Sequence, residues 1–195
     1  MVFNFHNDFR RKVARGLQET ADGKRMPYAT DMRELRWDCE LEDEAVWGSC
    51  FIEEIPPAYS QTHAVIPLKS LYPAGDTRNE TMAVLREIAE NVKNEDLSGD
   101  PKFLGYGGRA LSNMLYAYYN RFACSWDYCD GKAKMLCLYD KRPNYDYQLY
   151  HKTLLRDEIC QYCPPYTQYK RGDDSDIPRG GLMAGEHHSF AIPPR

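Results

Sequence analysis

The sequence predicts a disulfide-bonded α+β domain, and three observations lead to this prediction. Four stretches repeat apolar residues at intervals of three and four, as amphipathic helices do. Residues 133–139 form an apolar run of strand length. Seven cysteines in 195 residues favour an oxidising compartment, in which disulfides persist. A chain of this length buries most of its unfolded surface in one core, so a single main domain is expected.

The first two helices are predicted in the N-terminal quarter of the chain. The apolar face of the first consists of Phe5, Phe9, Val13 and Leu17, interleaved with Arg10, Arg11, Lys12 and Arg15. This helix should end near Gly16. A second helix should begin near Asp38, because acidic residues crowd its first turn, where the helix dipole favours negative charge. Its inward face is predicted to be Trp37, Leu41, Ala45 and Trp47.

Two further helices are predicted after a segment without clear periodicity, in which only residues 64–66 resemble a strand. The third begins in a capping-box pattern from Thr77 to Glu80 and stops before Ser98. The fourth follows the glycine-rich turn at residues 105–108. Its apolar stripe is Leu111, Met114, Leu115, Tyr118 and Phe122.

Composition excludes several classes of function. The net charge is −4 and no run of Lys or Arg could follow a phosphate backbone, so we expect no nucleic-acid partner. No apolar stretch approaches the roughly 20 residues of a transmembrane helix, so the chain should not span a membrane. No nucleophile next to a base and no open metal site is recognisable, so we expect no enzyme. Residues 1–5 do not resemble a signal peptide.

The C-terminal cysteines and the tail suggest a boundary near residue 155. Cys160-Gln161-Tyr162-Cys163 could be a redox dithiol, half of a zinc site or a structural disulfide hinge, and its place before Pro164 favours the hinge. Residues 170–195 are rich in Gly, Pro, Asp and Ser, which predicts a mobile tail. We therefore divide the chain into a domain at residues 1–155 and a hinge with a flexible tail at residues 156–195.

Several motifs occur in an order that resembles the CAP superfamily (cysteine-rich secretory, antigen 5 and pathogenesis-related proteins, SCP/TAPS). They are His6-Asn7-Asp8-Phe9-Arg10, Trp37-Asp38-Cys39, Cys137-Leu138-Tyr139-Asp140-Lys141-Arg142-Pro143, Tyr150 and Cys160-x-x-Cys163. Within this superfamily, the sequence resembles the subgroup of activation-associated or venom-allergen-like proteins of parasitic nematodes. The resemblance implies an α-β-α sandwich with a small antiparallel sheet between helices.

The resemblance also implies a disulfide framework. Cys124 and Cys137 match the pair that bonds the central helix to the following strand, and Cys39, Cys50 and Cys129 should contribute at least one more bond. Cys160 and Cys163 match the hinge. Because seven is odd, one thiol has no partner within the chain unless it pairs elsewhere.

The family's metal ligands are not matched in this sequence. Counting back from Cys124 places Ala110 where the family has a histidine, and Ala offers no lone pair. Glu53-Glu54-Ile55 stands near the position of the other histidine, and the family's Gly-Glu-Asn signature has no counterpart in residues 60–75. His63 is a remaining candidate, although a lone histidine is usually solvated or structural. We therefore expect no metal and no cofactor.

These observations lead to a functional hypothesis. The chain should be a secreted, extracellular, non-catalytic effector, parasite-derived, that binds a host protein or receptor and modulates immunity or haemostasis. Arg171-Gly172-Asp173 is an integrin-type tripeptide, and Asn79-Glu80-Thr81 is an N-glycosylation acceptor pattern. The alternative is a sterol or lipid carrier with an apolar groove formed in part by residues 51–72.

Overall fold

The computed structural model describes residues 1–66, 77–144 and 146–163. In these ranges the chain forms four α-helices and six strands. The helices are α1 (Val2–Ala14), α2 (Cys39–Gly48), α3 (Thr77–Glu90) and α4 (Arg109–Leu115). The strands are β1 (Tyr28–Ala29), β2 (Arg36–Trp37), β3 (Ser60–Ile66), β4 (Arg121–Cys129), β5 (Lys132–Tyr139) and β6 (Lys152–Thr153).

The main sheet has the strand order β2-β4-β5-β3. Strands β3, β4 and β5 pair antiparallel, as predicted, whereas the two-residue edge strand β2 pairs parallel with β4. A two-residue turn at Asp130 and Gly131 joins β4 to β5, and both residues have positive φ, as the favoured hairpin turn requires. A small second sheet pairs β1 with β6.

Both faces of the main sheet are buried, and this makes the molecule a sandwich. On β5, Met135, Cys137 and Tyr139 face the larger core with α1, α3 and α4. The alternating residues Leu136 and Leu138 face a smaller core under α2. Because successive side chains of a strand point to opposite faces, the continuous apolar run in β5 is that of a strand covered on both sides. The predicted α-β-α sandwich is confirmed.

The first two helices begin as the sequence predicts. The Asp38 carboxylate accepts a hydrogen bond from the Leu41 amide at 3.0 Å and so caps α2. Two residues that were predicted to face inward are exposed instead. Leu17 lies beyond the end of α1 and is 51% exposed, and Trp47 is 60% exposed on the solvent side of α2. Strand β3 is also longer than the three residues predicted for it.

The fourth helix is shorter than predicted, because it ends at Leu115. Tyr116 is extended, and the Ala117 amide donates to the Leu149 carbonyl instead of continuing the helix. Phe122 lies in β4, so the stripe that the sequence suggested crosses from a helix into a strand. Tertiary hydrogen bonds end this helix, and apolar periodicity alone cannot report them.

The structure contains three disulfides. Cys124 and Cys137 are opposite each other on β4 and β5, so this bond joins two neighbouring strands and not a helix to a strand. Cys50 and Cys129 join the segment after α2 to the end of β4. Cys160 bonds Cys163, and Cys39 is an exposed free thiol. Within the described ranges, every helix is too short or too polar to span a lipid bilayer.

Candidate functional site

The motif at the start of the chain forms a buried polar link between α1 and the rest of the core. His6 contacts the Val2 carbonyl through Nδ1 at 3.0 Å and the Tyr139 hydroxyl through Nε2 at 3.1 Å. The Asn7 amide exchanges two hydrogen bonds with the main chain of Leu35. These residues are structural, and burial lowers the pKa of His6 to about 4, so its imidazole is neutral at physiological pH.

Ala110 occupies the first turn of α4, next to Arg109. Helix α4 packs on β3, where the Asn113 amide donates to the Gln61 carbonyl at 3.0 Å and to the Thr62 hydroxyl at 3.1 Å. His63 is an exposed residue of this strand. Its ring is nevertheless partly desolvated, and this desolvation and the charge of Arg109 both lower the pKa of His63. A guanidinium that disfavours the imidazolium would also oppose a metal cation, so, within the part of the chain that the structure describes, the residues near Ala110 do not fit the family's metal.

Another group of potential ligands lies inside the sandwich. The imidazole of His6 and the sulfurs of Cys124 and Cys137 lie within 4.8 Å of one another. The two sulfurs form a disulfide with each other, and the two ring nitrogens of His6 each have a hydrogen-bond partner. A zinc ion at this group would need the two thiolates and a free imidazole nitrogen, and the oxidised protein offers neither here.

A cleft opens between α4 and the loop after β5. Its lining residues are Ser60, Phe103, Tyr106, Arg109, Asn113, Arg142, Pro143, Asn144 and Tyr147. The cleft has a volume of about 30 Å³, which is enough for one small polar group. Sequence reasoning missed it, because Arg109 and Arg142 are far apart in the chain and only the fold brings them together.

A second, larger groove lies between α1 and α3. It has a volume of about 250 Å³ and is lined by Phe5, Asp8, Phe9, Lys12, Gln18, Arg86, Ala89 and Glu90. The lining includes the apolar residues Phe5, Phe9 and Ala89 and the charged residues Asp8, Lys12, Arg86 and Glu90. The lipid hypothesis placed part of an apolar groove at residues 51–72, of which residues 67–72 lie outside the described ranges, and the groove between α1 and α3 is a different one. The helical spacing of Phe5 and Phe9 could have indicated this groove, but the same spacing also predicts ordinary core packing.

The end of α2 carries an exposed aromatic surface, which we call the Trp47 surface and define as Trp47, Phe51 and Ile52. The Trp47 ring lies 5.4 Å from that of Phe51, and its indole nitrogen donates to the Glu54 carboxylate at 2.6 Å. The three side chains are 60%, 45% and 37% exposed. The helical pattern predicted that Trp47 faces inward. Its spacing of four residues from Phe51 could have indicated that the two rings lie together.

The remaining predicted residues have mixed positions. Asn79 is exposed in the first turn of α3. Cys160 and Cys163 are buried, and the amides of Cys160 and Tyr162 donate to the Ala29 and Thr30 carbonyls, so this segment packs against the domain. Arg171, Gly172 and Asp173 lie outside the described residues.

One curated relative matches most of this chain. The chain is 28% identical to Ancylostoma secreted protein from Ancylostoma caninum over 141 residues, which is 70% of this chain. The chain spans only 32% of the length of that relative. No protein-family model matches the chain.

Solved structures have the same fold. The crystal structure of NaASP2 with Zn²⁺ aligns with a TM-score of 0.67 and 19% identity, covering 83% of this chain and 86% of that one. The crystal structure of hookworm platelet inhibitor aligns with a TM-score of 0.55 and 20% identity, covering 82% of this chain and 78% of that one. These similarities identify the sandwich as the CAP fold.

Proposed function

We propose that this chain, which is a CAP-superfamily protein by its fold and its sequence similarity, is a secreted, parasite-derived effector that binds a host protein or receptor. In this proposal it acts without catalysis and without the family's central metal. The relative from Ancylostoma caninum is named as a secreted protein, which supports an extracellular setting. A neighbour in fold is named as a platelet inhibitor, which supports a host-cell partner.

The Trp47 surface is the observation that carries the proposal. Exposed aromatic residues that lie together are typical of protein interfaces, and Trp is prominent among residues that dominate binding energy. Contacts with Phe51 and Glu54 hold the Trp47 ring in place before any partner arrives. Less side-chain entropy is then lost on binding.

The charge around this surface indicates the chemistry of the partner. Residues 38–57 contain seven acidic residues and no Lys or Arg. The acidic residues are Asp38, Glu40, Glu42, Asp43, Glu44, Glu53 and Glu54. Asp38 is paired with Arg121, whereas Glu40, Asp43 and Glu53 are exposed. A partner with basic side chains around an apolar pocket would complement this surface in charge and shape.

The donor set near Ala110 supports the part of the proposal that concerns the metal. Zinc in proteins is held by imidazole nitrogens, thiolates and carboxylate oxygens. The described lining of the nearby cleft contains no His, Cys, Asp or Glu, and it contains two arginines. Positive side chains oppose a cation, so function at the surface is the better interpretation.

Capture from host plasma and leukocyte membranes, followed by affinity measurements on the captured protein, tests this proposal. The variants are Trp47→Ala and, as a control, Leu154→Ala, because Leu154 is 84% exposed outside the Trp47 surface. We expect Trp47→Ala to weaken binding at least about tenfold and the control to bind normally. Binding should also weaken with added salt. Failure to retain any host protein, or equal binding by Trp47→Ala, would contradict the proposal.

The groove between α1 and α3 favours a second candidate function, sterol or lipid carriage. Phe5, Phe9 and Ala89 offer an apolar floor, and Lys12 and Arg86 could contact a polar head group. Lipid extraction of the purified protein and titration with a fluorescent sterol or fatty acid test this candidate. Ala89→Trp should fill the groove and abolish binding, whereas binding that persists in this variant would exclude the groove.

A further inference from the structure

Two arginines line the cleft between α4 and the loop after β5. Arg109 is the first residue of α4, and Arg142 follows β5 by three residues. The described residues that line the cleft include no carboxylate. The cleft is a local positive region on a protein of net negative charge.

Neither guanidinium is neutralised by the described parts of the chain. No ion pair or side-chain hydrogen bond of Arg109 occurs among residues 1–66, 77–144 and 146–163. Arg142 has one contact there, from Nη1 to the Pro57 carbonyl at 3.5 Å, which is longer than an ordinary hydrogen bond. By comparison, Arg121 pairs with Asp38 at 2.6 Å and lies near Asp140.

The positive charge of Arg109 affects two titratable side chains, those of His63 and Tyr147. Burial lowers the pKa of His63, and the positive charge of Arg109 lowers it further. Burial raises the pKa of Tyr147, whereas Arg109 favours the tyrosinate and acts against that rise. Tyr147 lines the cleft, so the effect on its pKa agrees with an Arg109 guanidinium close to the cleft. A half-enclosed site strengthens such a field, because water screens it less.

The aromatic walls of the cleft favour a ligand that carries a planar or aromatic group. The Phe103 and Tyr147 rings are stacked with centroids 5.0 Å apart. Asn113 closes the inner end, but its amide already donates to Gln61 and Thr62, and its oxygen accepts from the Tyr119 hydroxyl at 3.0 Å. Asn113 therefore shapes the site, and the two arginines supply the positively charged donors among the described lining residues.

We propose that Arg109 and Arg142 bind an oxyanion in this cleft, namely a carboxylate, sulfate or phosphate group. Guanidinium groups present paired donors that match the oxygens of such groups. A volume of about 30 Å³ admits only the anionic head. The body of a larger ligand would extend past the aromatic rings toward solvent. This inference does not depend on the Trp47 surface, which lies at the end of α2.

Calorimetric titration with phosphate, sulfate, acetate and benzoate at constant ionic strength tests the proposal. The variants are Arg109→Gln and Arg142→Gln. The control is Lys132→Gln, which removes the same unit charge at the other end of β5, away from the cleft. Circular dichroism would verify that each variant is folded.

We expect saturable binding of at least one anion by the wild-type protein. Each arginine variant should bind at least about tenfold more weakly, while the control stays within about twofold. Tighter binding of benzoate than of acetate would indicate an aryl carboxylate as the natural ligand, and equal binding would indicate a free small anion. The absence of saturable binding, or an equal loss in the lysine control, would overturn the proposal.

Discussion

The guanidinium of Arg10 donates a hydrogen bond to the main-chain carbonyl of Met114 at 2.9 Å. Further hydrogen bonds run from Arg10 to the carbonyls of Tyr116 at 3.0 Å and Arg33 at 2.8 Å. The last carbonyls of a helix have no partner within the helix, and a cation is favoured at this end of the dipole. One residue of α1 therefore caps α4, although it is separated from it by about half of the chain.

Replacement of Arg10 should be among the most destabilising substitutions in α1. Arg10 is only 1% exposed, and Arg10→Met would leave several buried carbonyls without donors. Each such group costs about 1–3 kcal/mol, so we expect a loss of at least about 3 kcal/mol in the free energy of unfolding. Urea denaturation measures this quantity.

The matched control for this prediction is Arg11→Met. Arg11 pairs with Asp8 and with Glu34 at the surface. Surface ion pairs contribute about 0–1 kcal/mol, so the control should change stability little. Equal effects of the two substitutions would contradict the capping role of Arg10.

His6 should make stability depend on pH. Burial is the main cause that lowers its folded pKa to about 4, with a smaller contribution from the charge of Arg10. The unfolded chain binds a proton near pH 6.5. Between pH 6.5 and 4 the unfolded state therefore holds more protons, so stability is complete above pH 6.5 and falls as the pH is lowered through this window. The total loss from His6 is about 3 kcal/mol.

Denaturation curves collected from pH 7.5 to 4 test this prediction. We compare the wild-type protein with His6→Gln, which cannot titrate. The variant should be less stable at pH 7.5, but its stability should fall less steeply between pH 6.5 and 4. Parallel pH profiles would show that His6 is not held neutral in the folded protein.

The disulfides should contribute unequally to stability. In the chain-entropy account, the Cys124–Cys137 bond spans 13 residues and stabilises by about 3 kcal/mol, whereas the Cys50–Cys129 bond spans 79 residues and stabilises by about 4.5 kcal/mol. Removal of both sulfurs of each bond by Cys→Ala substitution tests this order. The buried Cys124–Cys137 pair also leaves a small cavity, which brings the two losses closer together.

Thermal denaturation in oxidising buffer gives the comparison. Cys39→Ala is the control, because Cys39 is an exposed free thiol and its loss should leave the melting temperature unchanged. A melting temperature that falls in the control and stays constant in either double variant would contradict this disulfide assignment.

The elements that the sequence predicted well depend on local signals. Asp38 before an acidic turn marks the start of α2, and the apolar run to Tyr139 marks β5. The errors depend on distant contacts. The end of α4 is determined by Arg10, which the helical pattern had assigned to a polar face with its basic neighbours.

The two surfaces that now carry the functional proposals were invisible for a similar reason. The spacing of Trp47 predicts an inward position, but Trp47 lies on the solvent side of α2 and is exposed. Arg109 and Arg142 converge only because α4 packs on β3 beside the end of β5. By contrast, the prediction that Ala110 replaces a family histidine rests on a motif count alone, which needs no knowledge of contacts.

The central claim is that the site near Ala110 opposes cations and that the protein acts through its surface. Metal analysis by mass spectrometry, after equilibration of the purified protein with zinc and removal of free metal, tests it most directly. The account predicts far less than one zinc ion per chain, with no change in the His63→Ala variant. One zinc ion per chain that is lost on His63→Ala substitution would contradict it.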